Sequence, residues 1–180
     1  MATRSGSVDP GLLLWLMEHT GMKERELADA LEHESGMLGL AGSSDMRQIV
    51  KQARQGRSEA SLALEVFIHR LRAEIAAMAA ALGGLDVLAF TGGVGEASAE
   101  VRSLAAAGLR FLGVEIDPSS NEERSRQGSE SDPRSNDERS TEASEIDREI
   151  SAPSATARTV VLKAREDLEI AAAVESVVAL

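Results

Sequence analysis

The chain has 180 residues, 43% hydrophobic and 27% charged, with a formal net charge of -11. That is enough apolar material for one core of ordinary size and reads as a soluble globular domain. With three Phe, one Trp and no Tyr, platforms for stacking bases are nearly absent and the acidic balance repels phosphate backbones, so nucleic acid is not an expected ligand.

No cysteine is present, which removes disulfides, thiolate catalysis and cysteine-ligated metals. No apolar run approaches the roughly 18 residues needed to span a bilayer. The opening MATRSGSVDP lacks the apolar core of a signal peptide, so a cytoplasmic protein without membrane contact is the simplest expectation.

In chain order, SVDPGLLLWLMEHTG offers Asp9 as N-cap, Pro10 at the first helical position and Gly21 as the stop. Leu12 to Met17 is apolar nearly all round, which predicts a helix buried between other elements. MKERELADALEHESG predicts a second, more polar helix; GMLGLAG after it reads as flexible, and Ser44 as the cap of a helix over DMRQIVKQAR.

From Ser58 to Leu82 apolar residues recur at three- and four-residue steps, and Gly83 and Gly84 end this long helix. LDVLAF is a short apolar run of the kind expected in a strand covered on both faces. The turn TGGVGE, a helix over SAEVRSLAAAGL, a second apolar run TVVLKA and a last helix over EDLEIAAAVESVVAL follow. This alternation points to an α/β fold with helices packed on a small sheet, forming one domain over residues 1–180. Between Asp117 and Glu149 stand eleven acidic residues and five Arg, with Ala143 and Ile146 as the apolar exceptions. Residues 118–149 are therefore expected to form a solvated, disordered insertion.

A strand, then glycines, then a helix start presents unpaired backbone N–H groups to an anion. GGVGE is neither G-x-G-x-x-G nor a Walker loop, so on pattern it reads either as a nucleotide site or as a plain tight turn. Thr91 and Glu96 are then its polar contributors or merely caps. SSDMR, residues 43–47, is a capped helix start that needs no function, or one whose Arg47 stacks on or hydrogen-bonds a ligand. Arg4 stands at a chain end expected to be a solvated tail. His19, His33 and His69 are dispersed and read as packing or surface residues.

Four segments nevertheless occur in one order that resembles the C-terminal part of the acetate kinase family, in the actin-like, sugar-kinase-like (ASKHA) fold. TRSGSVDPG resembles the family's G-T-R-S-G-D-I-D-P, and SGMLGLAGSSDMR its S-G-[LM]-L-G-[LI]-S-G-x-S-x-D-[MV]-R. FTGGVGEASAEVR is similar to F-T-[AG]-G-I-G-E-N-S-x-x-V-R, and ISAPSATARTVVLKAREDLEIA to I-S-x-x-x-S-x-V-x-V-x-V-I-P-T-N-E-E-L-x-I-A.

The resemblance implies an α/β fold with an incomplete sheet and transfer of the ATP γ-phosphoryl group to acetate, giving ADP and acetyl phosphate with Mg2+. By the same resemblance Arg4 matches the catalytic arginine that steadies the phosphoryl group in flight. Asp45, Met46 and Arg47 match the segment lining the adenosine pocket. Gly93, Val94, Gly95, Glu96 and Ala97 match the glycine turn against the nucleotide, and Glu166 matches the Glu that holds Mg2+.

Nothing in the chain resembles the family's first half, with its acetate-binding Arg, catalytic Asp and H-x-G-N-G phosphate loop. The expected partners are adenine nucleotide, acetate, a separate N-terminal kinase half and a second copy in a homodimer. The alternative is an inactive remnant that binds nucleotide weakly or dimerises. Ala97 stands where the family has Asn, and Ala164 and Arg165 where it has Thr-Asn.

Overall fold

The computed structural model describes residues 1–127, 147–165, 170 and 174. The chain forms two compact units, residues 1–71 and 72–180.

In the first unit the Asp9 carboxylate accepts from the Gly11 N–H at 2.6 Å and starts α1 (Pro10–Thr20), which Gly21 ends at φ 71. The caps are those expected, but the burial is not: α1 has no buried residue and Leu14 is 68% exposed. An all-round apolar helix specifies a surface that favours cover, and the described residues do not supply it. The ring of His19 stacks on Trp15 one turn earlier, with centroids 4.7 Å apart.

Next come α2 (Glu24–His33), α3 (Gly36–Ala41), α4 (Met46–Arg54) and α5 (Ser58–Leu82), whose residues from Arg72 onward belong to the second unit. GMLGLAG thus forms the helix α3 instead of a flexible stretch, closed by Gly42 at φ 68. Asp45, not Ser44, caps α4, because its carboxylate accepts from the Arg47 N–H at 2.9 Å. Leu27, Met37, Ile49 and Leu64 are core residues of this unit.

The segment around Arg4, expected over Thr3 to Gly6 to be a solvated tail, is pinned through residues 1–5 to the junction of α2 and α3. Ser5 N–H donates to the Leu31 carbonyl at 2.8 Å, Ser35 N–H to that of Thr3 at 2.8 Å and Leu38 N–H to that of Ala2 at 2.9 Å. The approach requires glycine at position 36. Its φ is +62, and a Cβ there would lie 2.5 Å from the Met1 carbonyl oxygen and 2.7 Å from that of Arg4.

In the second unit, β1 (Val87–Phe90) leads into α6 (Gly92–Ala97) and α7 (Ala99–Ala107). A short 3-10 turn, α8 (Pro118–Gln127), β2 (Arg148–Glu149) and β3 (Arg158–Val161) follow. The sheet order is β1-β3-β2, with β1 and β3 parallel and β2 antiparallel to β3. Register sets Val87 beside Arg158 and Phe90 beside Val161. Alternation therefore puts Leu88, Phe90, Thr159 and Val161 on one buried face. The other face is open, with Val87 48% exposed. Among the described residues, the strand expected to be covered twice is an edge strand covered once.

The polar stretch is ordered at both margins, where a loop is expected throughout. Asp117 caps α8 by accepting from the Ser120 N–H at 2.8 Å and from the hydroxyls of Ser119 and Ser120. These bonds, the Ser119 hydroxyl first, hold its carboxyl below the usual carboxylate range. At the far margin Arg148 and Glu149 pair with β3. Residues 128–146 lie outside the described residues, as does the helix expected over 166–180, apart from Ile170 and Val174, both helical.

Gly36→Ala should destabilise the first unit by about 1–3 kcal/mol, the cost of a side chain held in left-handed backbone. Amide exchange at Ser35 and Leu38 should rise with it. Unchanged exchange at both would contradict the account of how residues 1–5 are held.

Candidate functional site

The segment after β1 is more built than a bare turn. Thr91 continues the extended chain at φ -145, and Gly92, at φ 71, reverses it as the first residue of the six-residue helix α6. Each of its ends has a dedicated side chain. At the start, one Glu96 carboxylate oxygen accepts from the Gly92 N–H at 2.9 Å and from the Ala164 N–H at 2.8 Å, tying α6 to the chain that leaves β3.

At the end, Arg102 Nη1 donates to the carbonyls of Gly95 at 2.7 Å and Glu96 at 2.8 Å. The rest of this guanidinium turns to α8: Nε donates to Asn121 Oδ1 at 2.7 Å and Nη2 to the Asn121 carbonyl at 2.8 Å. Asn121 Nδ2 in turn donates to the Ala99 carbonyl at 2.9 Å and the Ser103 hydroxyl at 2.8 Å. Arg102 is 0% exposed and Asn121 1%.

Arg102 enters the sequence reading as the last residue of the FTGGVGEASAEVR match, with no role given to it, and Asn121 not at all. A signal exists for the first: Val101, Ala105 and Ala106 are its buried neighbours on α7. An arginine inside an apolar stripe at helical spacing is more than a solvent-facing charge.

The three glycines around α6 have different reasons to be glycine. Gly92 needs its positive φ. Gly95 packs against β1, where a Cβ would stand 3.3 Å from the Phe90 carbonyl carbon. Gly93 is outside the left-handed region, and a Cβ there would meet nothing within 4 Å. Position 93 is exposed, whereas position 95 is half-buried. Ala97 is exposed as well, and Val94 half-buried.

Arg4, Asp45, Met46 and Arg47 belong to the first unit, and Gly93 to Ala97 to the second. Arg4 has a fixed backbone and an exposed side chain. Arg47 grips Asp45 with both arms, Nη2 to Oδ2 at 2.9 Å and Nε to Oδ1 at 3.1 Å. The guanidinium holds the Asp45 carboxyl below the usual carboxylate range. It also remains 85% exposed. Met46 is buried, which leaves its backbone as what it can offer a ligand. Glu166 lies outside the described residues. Among the described residues no three His, Asp or Glu side chains are grouped to hold a metal ion.

The sequence profile of the acetokinase family matches residues 1–172. The chain belongs to the acetokinase family. It is 42% identical over 172 residues to the acetate kinase of Gloeobacter violaceus, covering 95% of this chain and 38% of that protein. Among solved structures, the acetate kinase of Porphyromonas gingivalis superposes with a TM-score of 0.80 at 32% identity, over 99% of this chain and 40% of that one. A propionate kinase from Francisella tularensis superposes with a TM-score of 0.77 at 30% identity, over 94% of this chain and 38% of that one. The chain thus has the fold of part of these kinases and spans about 40% of their length. Its sheet, three strands among the described residues, belongs to that ASKHA fold.

The glycine assignments predict unequal costs. Gly93→Val should leave thermal stability nearly unchanged, whereas Gly95→Val should cost about 1–3 kcal/mol through overpacking against the Phe90 backbone. Equal losses in denaturant unfolding would contradict the assignment of Gly93 to open space.

Proposed function

We propose that this chain supplies the nucleotide-facing part of an acetate-kinase-type phosphotransferase, which converts ATP and acetate to ADP and acetyl phosphate. One observation carries the reading furthest: in a family-matched turn held at both ends, Gly93 is the glycine that nothing in its own described surroundings requires. A backbone kept bare toward open space suits close approach of a nucleotide.

In this reading Arg4 offers an exposed guanidinium on a pinned backbone, suited to the charge that spreads over a phosphoryl group in transfer. Arg47, oriented by Asp45, presents a planar face for adenine. Met46 serves through its backbone, while Val94, Glu96 and Ala97 complete the turn. Glu166 is the residue through which Mg2+ would be held, and the ion would neutralise phosphate charge.

In the reaction an acetate oxygen bonds to the γ-phosphorus as the bond from that phosphorus to the β,γ-bridging oxygen breaks, and ADP leaves. The groups that would hold acetate and position it for attack correspond to the family's first half. We assign them to a separate N-terminal part acting with this chain. The acceptor, acetate or propionate, is set there.

Calorimetric titration should find ADP binding by the parent chain and at least about tenfold weaker binding by Gly93→Val. The chain alone should make no acetyl phosphate from acetate and Mg-ATP, because positioning groups contribute orders of magnitude. Adding the N-terminal part of the Gloeobacter kinase should restore turnover. Equal ADP affinity in parent and variant would remove α6 from the site. Nucleotide binding without turnover in the mixture would favour the inactive remnant, a reading that the exposed, non-polar Ala97 supports.

A further inference from the structure

We propose that Arg102 is the positioning residue of the glycine turn, so that its guanidinium fixes the direction in which Gly93 and Val94 are offered. The inference rests on the reading of α6 as the nucleotide-facing turn.

A six-residue helix cannot hold its own shape: helices this short are unstable in isolation, and glycine raises the cost of ordering further. α6 carries glycine at three of its six positions. Its geometry must therefore come from outside. Its last carbonyls have no partners within the helix, and Arg102 Nη1 binds two of them, on the consecutive residues Gly95 and Glu96. The positive charge also lies at the negative end of the helix.

The orientation is fixed because the same planar group is held elsewhere. Nε and Nη2 bind the side chain and the carbonyl of Asn121 on α8. A guanidinium so gripped cannot swing without breaking bonds on both sides, and α6 inherits the alignment of α8. Lysine keeps the charge but lacks the fork, so it can hold one side only.

The test compares Arg102→Lys with Leu109→Ala in the full chain. Leu109 is fully buried in the same unit, and its truncation lowers stability without touching the guanidinium. For each variant, thermal stability, ADP affinity and amide exchange at residues 92–98 are measured.

Arg102→Lys should weaken ADP binding at least about tenfold and raise exchange at residues 92–98 by a similar factor. Leu109→Ala should leave both within about threefold of the parent at an equal or larger loss of stability. Matched changes in the two variants would reduce Arg102 to a general core residue and overturn the inference.

If the parent binds no ADP, the nucleotide reading fails and exchange alone decides. A rise confined to Arg102→Lys keeps the positioning role, and no rise overturns it. If Arg102→Lys does not fold, Asn121→Ala takes its place, since it removes the acceptor of Nε and should raise exchange at residues 92–98 about threefold over Leu109→Ala. No such rise would overturn the inference.

Discussion

A guanidinium leaves water at a cost of several kcal/mol unless its donors are met inside the protein. Arg102 is fully buried, and it binds the carbonyls of Gly95, Glu96 and Asn121 and the side chain of Asn121. Much of the second unit follows from that one satisfied group. α7 must present the arginine on its buried face, α8 must form for Asn121 to meet it, and α6 must end where its carbonyls can be reached. Glu96 closes the other end by joining the Gly92 and Ala164 amides. A helix half composed of glycine is thereby bonded at both of its ends to the structure around it.

This division of labour accounts for the glycines. Gly92 serves chain reversal and Gly95 serves packing on Phe90, so both are constrained by the fold. Gly93 is left over, and its bare backbone is the surface the two clamps hold in place. In the first unit Gly36 plays a comparable part, admitting the carbonyls of Met1 and Arg4 so that the arginine stands on a fixed chain. The two units use one device, a glycine that lets backbone approach backbone, to place residues that match the family's nucleotide and phosphoryl segments.

Local chemistry was readable where it is local. The limits of α5 follow from its apolar period and two terminal glycines, and the start of α1 from Asp9 and Pro10. Burial was not readable for α1 or β1, because an apolar pattern states what an element can cover and not which surface meets it. α8 and β2 were hidden by their polarity: the residue that docks α8 is an asparagine, and its partner an arginine, so the contact leaves no hydrophobic signal. In the candidate site, the turn and the Asp45–Arg47 pair could be found by motif. The roles of Arg102 and of the Glu96 carboxylate depend on residues 19 and 68 positions away, which no local pattern contains.

The proposal that bears most weight is that α6 is preformed and offers the Gly93 and Val94 amides to a nucleotide. Amide chemical-shift mapping of the isotope-labelled chain during ADP titration tests it most directly. The account predicts that among the amides of residues 86–101 the largest shifts fall on Gly93 and Val94, while the Gly92 amide, already bonded to Glu96, moves little. Saturating shifts elsewhere in the chain with Gly93 and Val94 unmoved would contradict it.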